Sequence, residues 1–151
     1  MANKIINFHD VYDKDWFEKT ILILKKKYQI IGVEKVDEYL YSKIKLRNSC
    51  LITIDDGDRT FYDVIFPILL KHKLPAILFV SPKIIMNNQN FWFQEIRDFE
   101  KTNLNKIICN YFNNDLSEYS NGSILKNCKI EDIWKIIKIY KEQYNFQSKK
   151  Q

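Results

Sequence analysis

Several features that would fix a function class are scarce or missing in this sequence. Its three cysteines, Cys50, Cys109 and Cys128, are an odd number and form no CxxC pair, so neither a disulfide framework nor a zinc ribbon is expected. Reduced thiols in a cytoplasmic protein are the simpler reading. Histidine is scarcer still, with only His9 and His72. No apolar run approaches the ~20 residues of a membrane span, and the N-terminal MANKIINFHDV lacks the apolar core of a secretion signal, so a soluble, intracellular chain is expected. There is no internal sequence repeat. The formal net charge of +5 does not single out a nucleic-acid partner, because the lysines are spread through a general Lys, Asn and Ile bias. One dense cluster, Lys25, Lys26 and Lys27, fits the C-terminal end of a helix, where cations are favoured.

What is present is enough to fold. The chain has 151 residues, 46% of them apolar, which suits one domain with a real core. KIINF reads as a short buried strand that delivers His9 and Asp10 to its C-terminal end. A helix follows in DKDWFEKTILILKKKY, with Asp15 as cap, Glu18 three residues on, and Trp16, Ile21, Leu24 and Tyr28 as its apolar stripe. QIIGV reads as a second strand, VDEYLYSKI as a short helix, and CLITI as a third strand, apolar on both faces as a central parallel strand is. RTFYDVIFPILLKHK is helical in pattern, with Pro67 as a start or kink, and PAILFV reads as another buried strand. Alternation of this kind implies an α/β fold with a parallel sheet or barrel. Beyond Ser81 the rhythm changes: FWFQEIRDFEKT reads as one helix, the Asn-rich stretch 110–127 as a loop or insertion, and IEDIWKIIKIYKEQY as a helix with Ile130, Ile133, Trp134, Ile137 and Tyr140 on one face. Trp16, Trp92 and Trp134 are expected in the core.

The informative stretch is LITIDDGDRTF, where a strand runs directly into Asp55, Asp56 and Gly57. Both carboxylates then stand at the C-terminal edge of a parallel sheet, the usual place of ligand sites in such folds. Neighbouring strand residues point opposite ways, so two acids share one site only where the strand has ended and Gly57 bends the chain. One acid as ligand and one as base is the natural division of labour. The structural alternative has Asp56 capping the next helix.

The pattern Thr53-Ile54-Asp55-Asp56-Gly57 resembles the T-F-D-D-G motif of the polysaccharide deacetylase family (carbohydrate esterase family four, the NodB-like homology domain), with isoleucine in place of the usual aromatic. FHDV resembles that family's N-terminal histidine segment, FPILLKHKLPAILFVSP its helix and following strand, and NFWFQEIRDF a later aromatic-rich segment, all in the family's order over about residues 5–100. The resemblance implies a partial (β/α) barrel of parallel strands alternating with helices, with the C-terminal part helical and the barrel incomplete. It implies 1–151 as a single truncated domain, with a family-like core over 1–100 and an insertion or helical extension over 101–151. The implied activity is metal-dependent removal of acetyl groups from a glycan, hydrolysis of a non-peptide carbon–nitrogen bond. Asp55 would be the general base that deprotonates the attacking water, and Asp56 a ligand of a divalent metal such as zinc, cobalt or nickel. His9, Asp10 and Gly57 would line the pocket, while His72, between helix and strand, would be structural.

The sequence also departs from that family. The H-[S/T]-x-x-H motif that supplies two further metal ligands is absent, as are the later strands that close a barrel. The chain therefore resembles an N-terminal portion whose other half would have to come from elsewhere, and is expected to be inactive alone. A degenerate glycan- or partner-binding domain is the alternative. A nucleotide-sugar glycosyltransferase also carries DDG after a strand, but the flanking segments suit it less, and a phosphatase reading through Asp56 and Asp58 meets Arg59 where a small turn residue is expected.

Overall fold

The computed structural model describes residues 2–42, 44–113 and 124–147. The chain divides into two compact units, Met1–Ile85 and Met86–Gln151.

The first unit is mixed α/β. Strands β1 (Lys4–Phe8), β2 (Gln29–Ile31), β3 (Ser49–Ile54) and β4 (Ile77–Leu78) form one sheet, and every pairing is parallel. β3 is central and buried along its whole length. β1 lies along one side of it, in a register that sets Asn7 beside Thr53 and Phe8 beside Ile54. β2 pairs with β3 at 49–51 and β4 pairs at 53–54, both overlapping the β1 register, so they share the opposite side.

The helices are α1 (Lys14–Lys27), α2 (Val33–Tyr41) and α3 (Phe66–His72). α1 is capped by Asp13, not Asp15. Asp13 has the extended backbone that a cap requires and accepts from Trp16 N, whereas Asp15 sits in the first turn, where a negative charge is favoured by the helix dipole. The three lysines occupy the last turn of α1. The face that α1 buries is Phe17, Ile21 and Leu24, four and three residues apart. Trp16 falls outside this stripe and is 52% exposed, which corrects its expected place in the core. These residues pack with Phe8, Ile52, Ile54, Ile65, Ile68 and Leu69, joining one face of the sheet to α1 and α3.

Two further expectations change. β1 is half-open: Phe8 is buried, but Ile5, on the opposite face of this border strand, is 72% exposed. PAILFV gives only the two-residue β4, with Phe79 and Val80 exposed. After Phe79 N donates to Ile54 O at 2.8 Å, β3 has ended and offers no further ladder partners. Pro67 lies at the start of α3, and the turn before it, Phe61–Ile65, is π-helical. Proline brings no N–H to the helical ladder, and the wider turn accommodates that loss.

The second unit is helical among its described residues: α4 (Pro82–Asn87) bridges the division between the units, followed by α5 (Trp92–Glu95), α6 (Lys101–Phe112) and α7 (Ile130–Gln143). FWFQEIRDFEKT is thus not one helix. α5 stops after one turn, and Glu100 starts α6 by accepting from Thr102 N and Asn103 N at 3.0 and 2.7 Å. These backbone donors hold the Glu100 carboxyl below the usual carboxylate range. α6 extends to Phe112 and Leu125 is fully buried, so the stretch 110–127 is not irregular throughout. Its residues 114–123 lie outside the described residues. α7 buries Ile133, Ile136, Ile137 and Tyr140, while Ile130 and Trp134 are exposed at 50% and 37%. Tyr140 stacks on Phe99 with ring centroids 3.8 Å apart, and its hydroxyl accepts from Glu100 N at 2.8 Å.

Candidate functional site

The C-terminal end of β3 gathers the polar residues that the sequence singles out. Asp55 continues the β1–β3 ladder by one bond, its N–H donating to Phe8 O at 2.9 Å. Its carboxylate accepts from Asn7 Nδ2 at 2.7 Å. Asn7 is itself oriented from β3, because its Oδ1 accepts from Thr53 Oγ1 at 2.8 Å. Thr53 is buried, so a hydroxyl in the sheet fixes an amide, and the amide fixes a carboxylate. The Asp55 side chain remains 33% exposed, held in place yet open to a reacting molecule.

The bend comes one residue earlier than glycine alone would place it. Asp56 has φ +67° and Gly57 φ +60°, two consecutive left-handed residues. Asp and Asn tolerate this region better than other side chains do, and glycine enters it freely. The reversal separates the two carboxylates from strand alternation. His9, just past β1, lies between them, with Nδ1 3.3 Å from Asp56 Oδ2 and Nε2 3.7 Å from Asp55 Oδ2. The ring also approaches Asn7 Nδ2 at 3.3 Å. Gly57 is closely backed as well: a Cβ there would meet Val80 Cγ1 at 3.1 Å. Asp10 is exposed beside His9.

The helix that follows is capped by Asp58, not Asp56. Asp58 Oδ1 accepts from Thr60 N and its carbonyl from Phe61 N, each at 2.8 Å. Thr60 Oγ1 accepts from Val11 N at 3.1 Å, tying the loop after β1 to the loop after β3. Asp58 and Thr60 are both buried. Asp56 is thereby released from the capping role that the sequence left open.

His72 stands elsewhere in the first unit. Its Nε2 lies 2.6 Å from Glu18 Oε1, and Lys71 Nζ donates to the same oxygen at 2.7 Å. Hydrogen bonds from Lys71 first and His72 second draw the Glu18 carboxyl below its ordinary range.

The residues in place do not fit a metal by themselves. Among the described residues no group of three or more His, Cys, Asp and Glu side chains is arranged to hold an ion, and a catalytic zinc takes three protein ligands. His9 Nδ1 lies against the Asp56 carboxylate instead of converging with it on a shared point. What the cluster offers chemically is an anchored, part-exposed carboxylate with an imidazole and a second carboxylate beside it.

Neither a protein-family model nor a curated protein matches the sequence. Among solved structures, the chain is similar to IcaB from Ammonifex degensii, at 26% identity and a TM-score of 0.48 over 52% of this chain and 37% of that one. It is also similar to a de-N-acetylase from Aggregatibacter actinomycetemcomitans, at 16% identity and a TM-score of 0.45 over 66% of this chain and 40% of that one. The chain thus covers well under half the length of either. At these TM-scores the functional reading rests on the residues themselves.

Asn7, Thr53, Asp58 and Thr60 escaped the sequence reading. A signal for Asn7 existed: it is the one amide in the apolar run KIINF, and the parallel register sets it beside Thr53. Asp58 and Thr60 carried the weaker signal of an acid two residues before a β-branched hydroxyl at a helix start.

Proposed function

We propose that this chain is the N-terminal portion of a polysaccharide deacetylase-type hydrolase, in which Asp55 acts as general base toward the water that attacks an acetyl group of a glycan. The observation that carries this reading is the Thr53–Asn7–Asp55 hydrogen-bond chain, which fixes a part-exposed carboxylate at the C-terminal end of the central parallel strand. A base fixed in this way keeps its lone pair aimed at one position, which is what proton abstraction requires. Asp56 is the first ligand we assign to a divalent metal, zinc, cobalt or nickel. The remaining ligands have to come from an H-[S/T]-x-x-H segment, which these 151 residues lack. The architecture that such a segment completes is a (β/α) barrel begun by the four parallel strands. No helix among the described residues is long and apolar enough to cross a membrane. The reducing, cytoplasmic setting we propose is one that suits three free cysteines.

A second reading is favoured by the contact between His9 Nδ1 and Asp56 Oδ2. A histidine within hydrogen-bond reach of this carboxylate also suits a domain that only binds a glycan or a partner chain.

Calorimetric titration with zinc separates the two. The hydrolase reading expects weak uptake that falls further in Asp56→Ala and strengthens when the H-[S/T]-x-x-H segment is supplied. Uptake indifferent to Asp56→Ala, with or without that segment, would leave only the binding reading.

A further inference from the structure

The second unit contains a cavity of about 470 Å³ between the segment 88–90, α5, α7 and the residues after α7. That volume falls within the ~300–1,000 Å³ typical of small-molecule sites. Its wall combines three kinds of group. Trp134, 37% exposed on α7, supplies a broad aromatic surface. Asn88, Gln89 and Gln147 are exposed primary amides, each able to donate and accept. Glu95, whose side chain is only 9% exposed, is held by Lys141 in an ion pair.

The charge balance narrows the ligand. Among the described residues, Glu95 and Lys141 are the only charged groups in this lining, and they neutralise each other. Such a wall offers little to an anion or a cation. It suits a neutral molecule that has an apolar face for the indole and a rim of hydroxyls or amides for the side-chain amides. A pyranose ring has that form, with axial C–H groups on one face and hydroxyls around its edge. Glu95 and Lys141, fixed on each other, add charge-assisted hydrogen-bonding capacity to the lining.

We propose that this cavity is a binding site for a neutral pyranoside unit of a glycan, formed entirely within the second unit and separate from the acid cluster after β3. It therefore stands whether or not Asp55 is a catalytic base.

The test is a titration of the ¹⁵N-labelled full chain with the trisaccharide of N-acetylglucosamine, and in parallel with its fully de-N-acetylated, cationic counterpart. We expect saturable shifts of the side-chain amide signals of Asn88, Gln89 and Gln147 with the neutral sugar, and about tenfold weaker binding in Trp134→Ala. Gln147→Ala, at an exposed position, should weaken binding as well and carries the test if Trp134→Ala fails to fold. Trp16→Ala, in the first unit, should change nothing. The proposal is overturned by no saturable shift up to about 20 mM sugar, by unchanged affinity in both Trp134→Ala and Gln147→Ala, or by tighter binding of the cationic sugar. Shifts confined to Asn7 and the residues around Asp55 would place the sugar in the acid cluster and overturn it equally.

Discussion

Replacing Gly57 by alanine probes the loop that presents the two acids. At φ +60° an alanine sits in the left-handed region, at a cost of roughly 1–2 kcal/mol. The new Cβ also meets Val80 Cγ1 at 3.1 Å, but Val80 is 44% exposed and can move aside, so this contact adds less than about 0.5 kcal/mol. The total of about 1–2 kcal/mol corresponds to roughly 5- to 30-fold in an opening equilibrium. Because the chain has two compact units, one melting curve would mix them. Amide hydrogen exchange of β3 reports the first unit alone. We expect β3 amides to exchange faster by that factor in Gly57→Ala, and nearly as fast in Gly57→Ala combined with Val80→Ala, since the backbone conformation is the larger cause. An effect below about twofold, or one that disappears in the Val80→Ala background, would refute the assignment of strain to the left-handed turn.

Other expectations follow from the same geometry. At Asp56, φ +67° leads us to expect Asp56→Asn to keep stability within about 0.5 kcal/mol and Asp56→Ala to lose about 1 kcal/mol, read by the same exchange measurement. Glu18 is lowered from its ordinary carboxylate value of 4.5, first by the Lys71 hydrogen bond and then by His72. Its contribution is therefore complete above pH 4.5 and lost as the pH falls below that value, so Glu18→Gln should flatten the acid limb of first-unit stability. Burial raises the Cys50 thiol above its usual value, so under native conditions a thiol reagent should label part-exposed Cys109 well before Cys50. Tyr140→Phe removes the acceptor for Glu100 N and should cost the second unit about 1 kcal/mol, read by amide hydrogen exchange of α7.

Much of the first unit was legible because its signals are local. The run SCLITI is apolar on both faces and is buried on both, and the residues after it stand where a parallel sheet exposes its edge. What failed required partners that a one-dimensional pattern does not show. PAILFV has the composition of a buried strand, yet β3 ends at Ile54, so only Ile77 and Leu78 find a ladder. Trp16 and Phe17 are adjacent and equally apolar, and only the phase of α1 against the sheet decides that Phe17 is buried and Trp16 exposed. Asp13, not Asp15, caps α1 because the cap depends on one residue's backbone angle. At the site, the acid pair was visible in the chain, whereas Asn7 acquires its meaning through a register with a strand more than forty residues away.

The most direct measurement of the central claim is acetate release from an N-acetylglucosamine oligomer by the chain supplied with an H-[S/T]-x-x-H segment and zinc. Activity is expected only in that combination, lost by a factor of about 10² or more in Asp55→Asn and retained in Trp16→Ala. Acetate release that survives Asp55→Asn would contradict the assignment of Asp55 as the base.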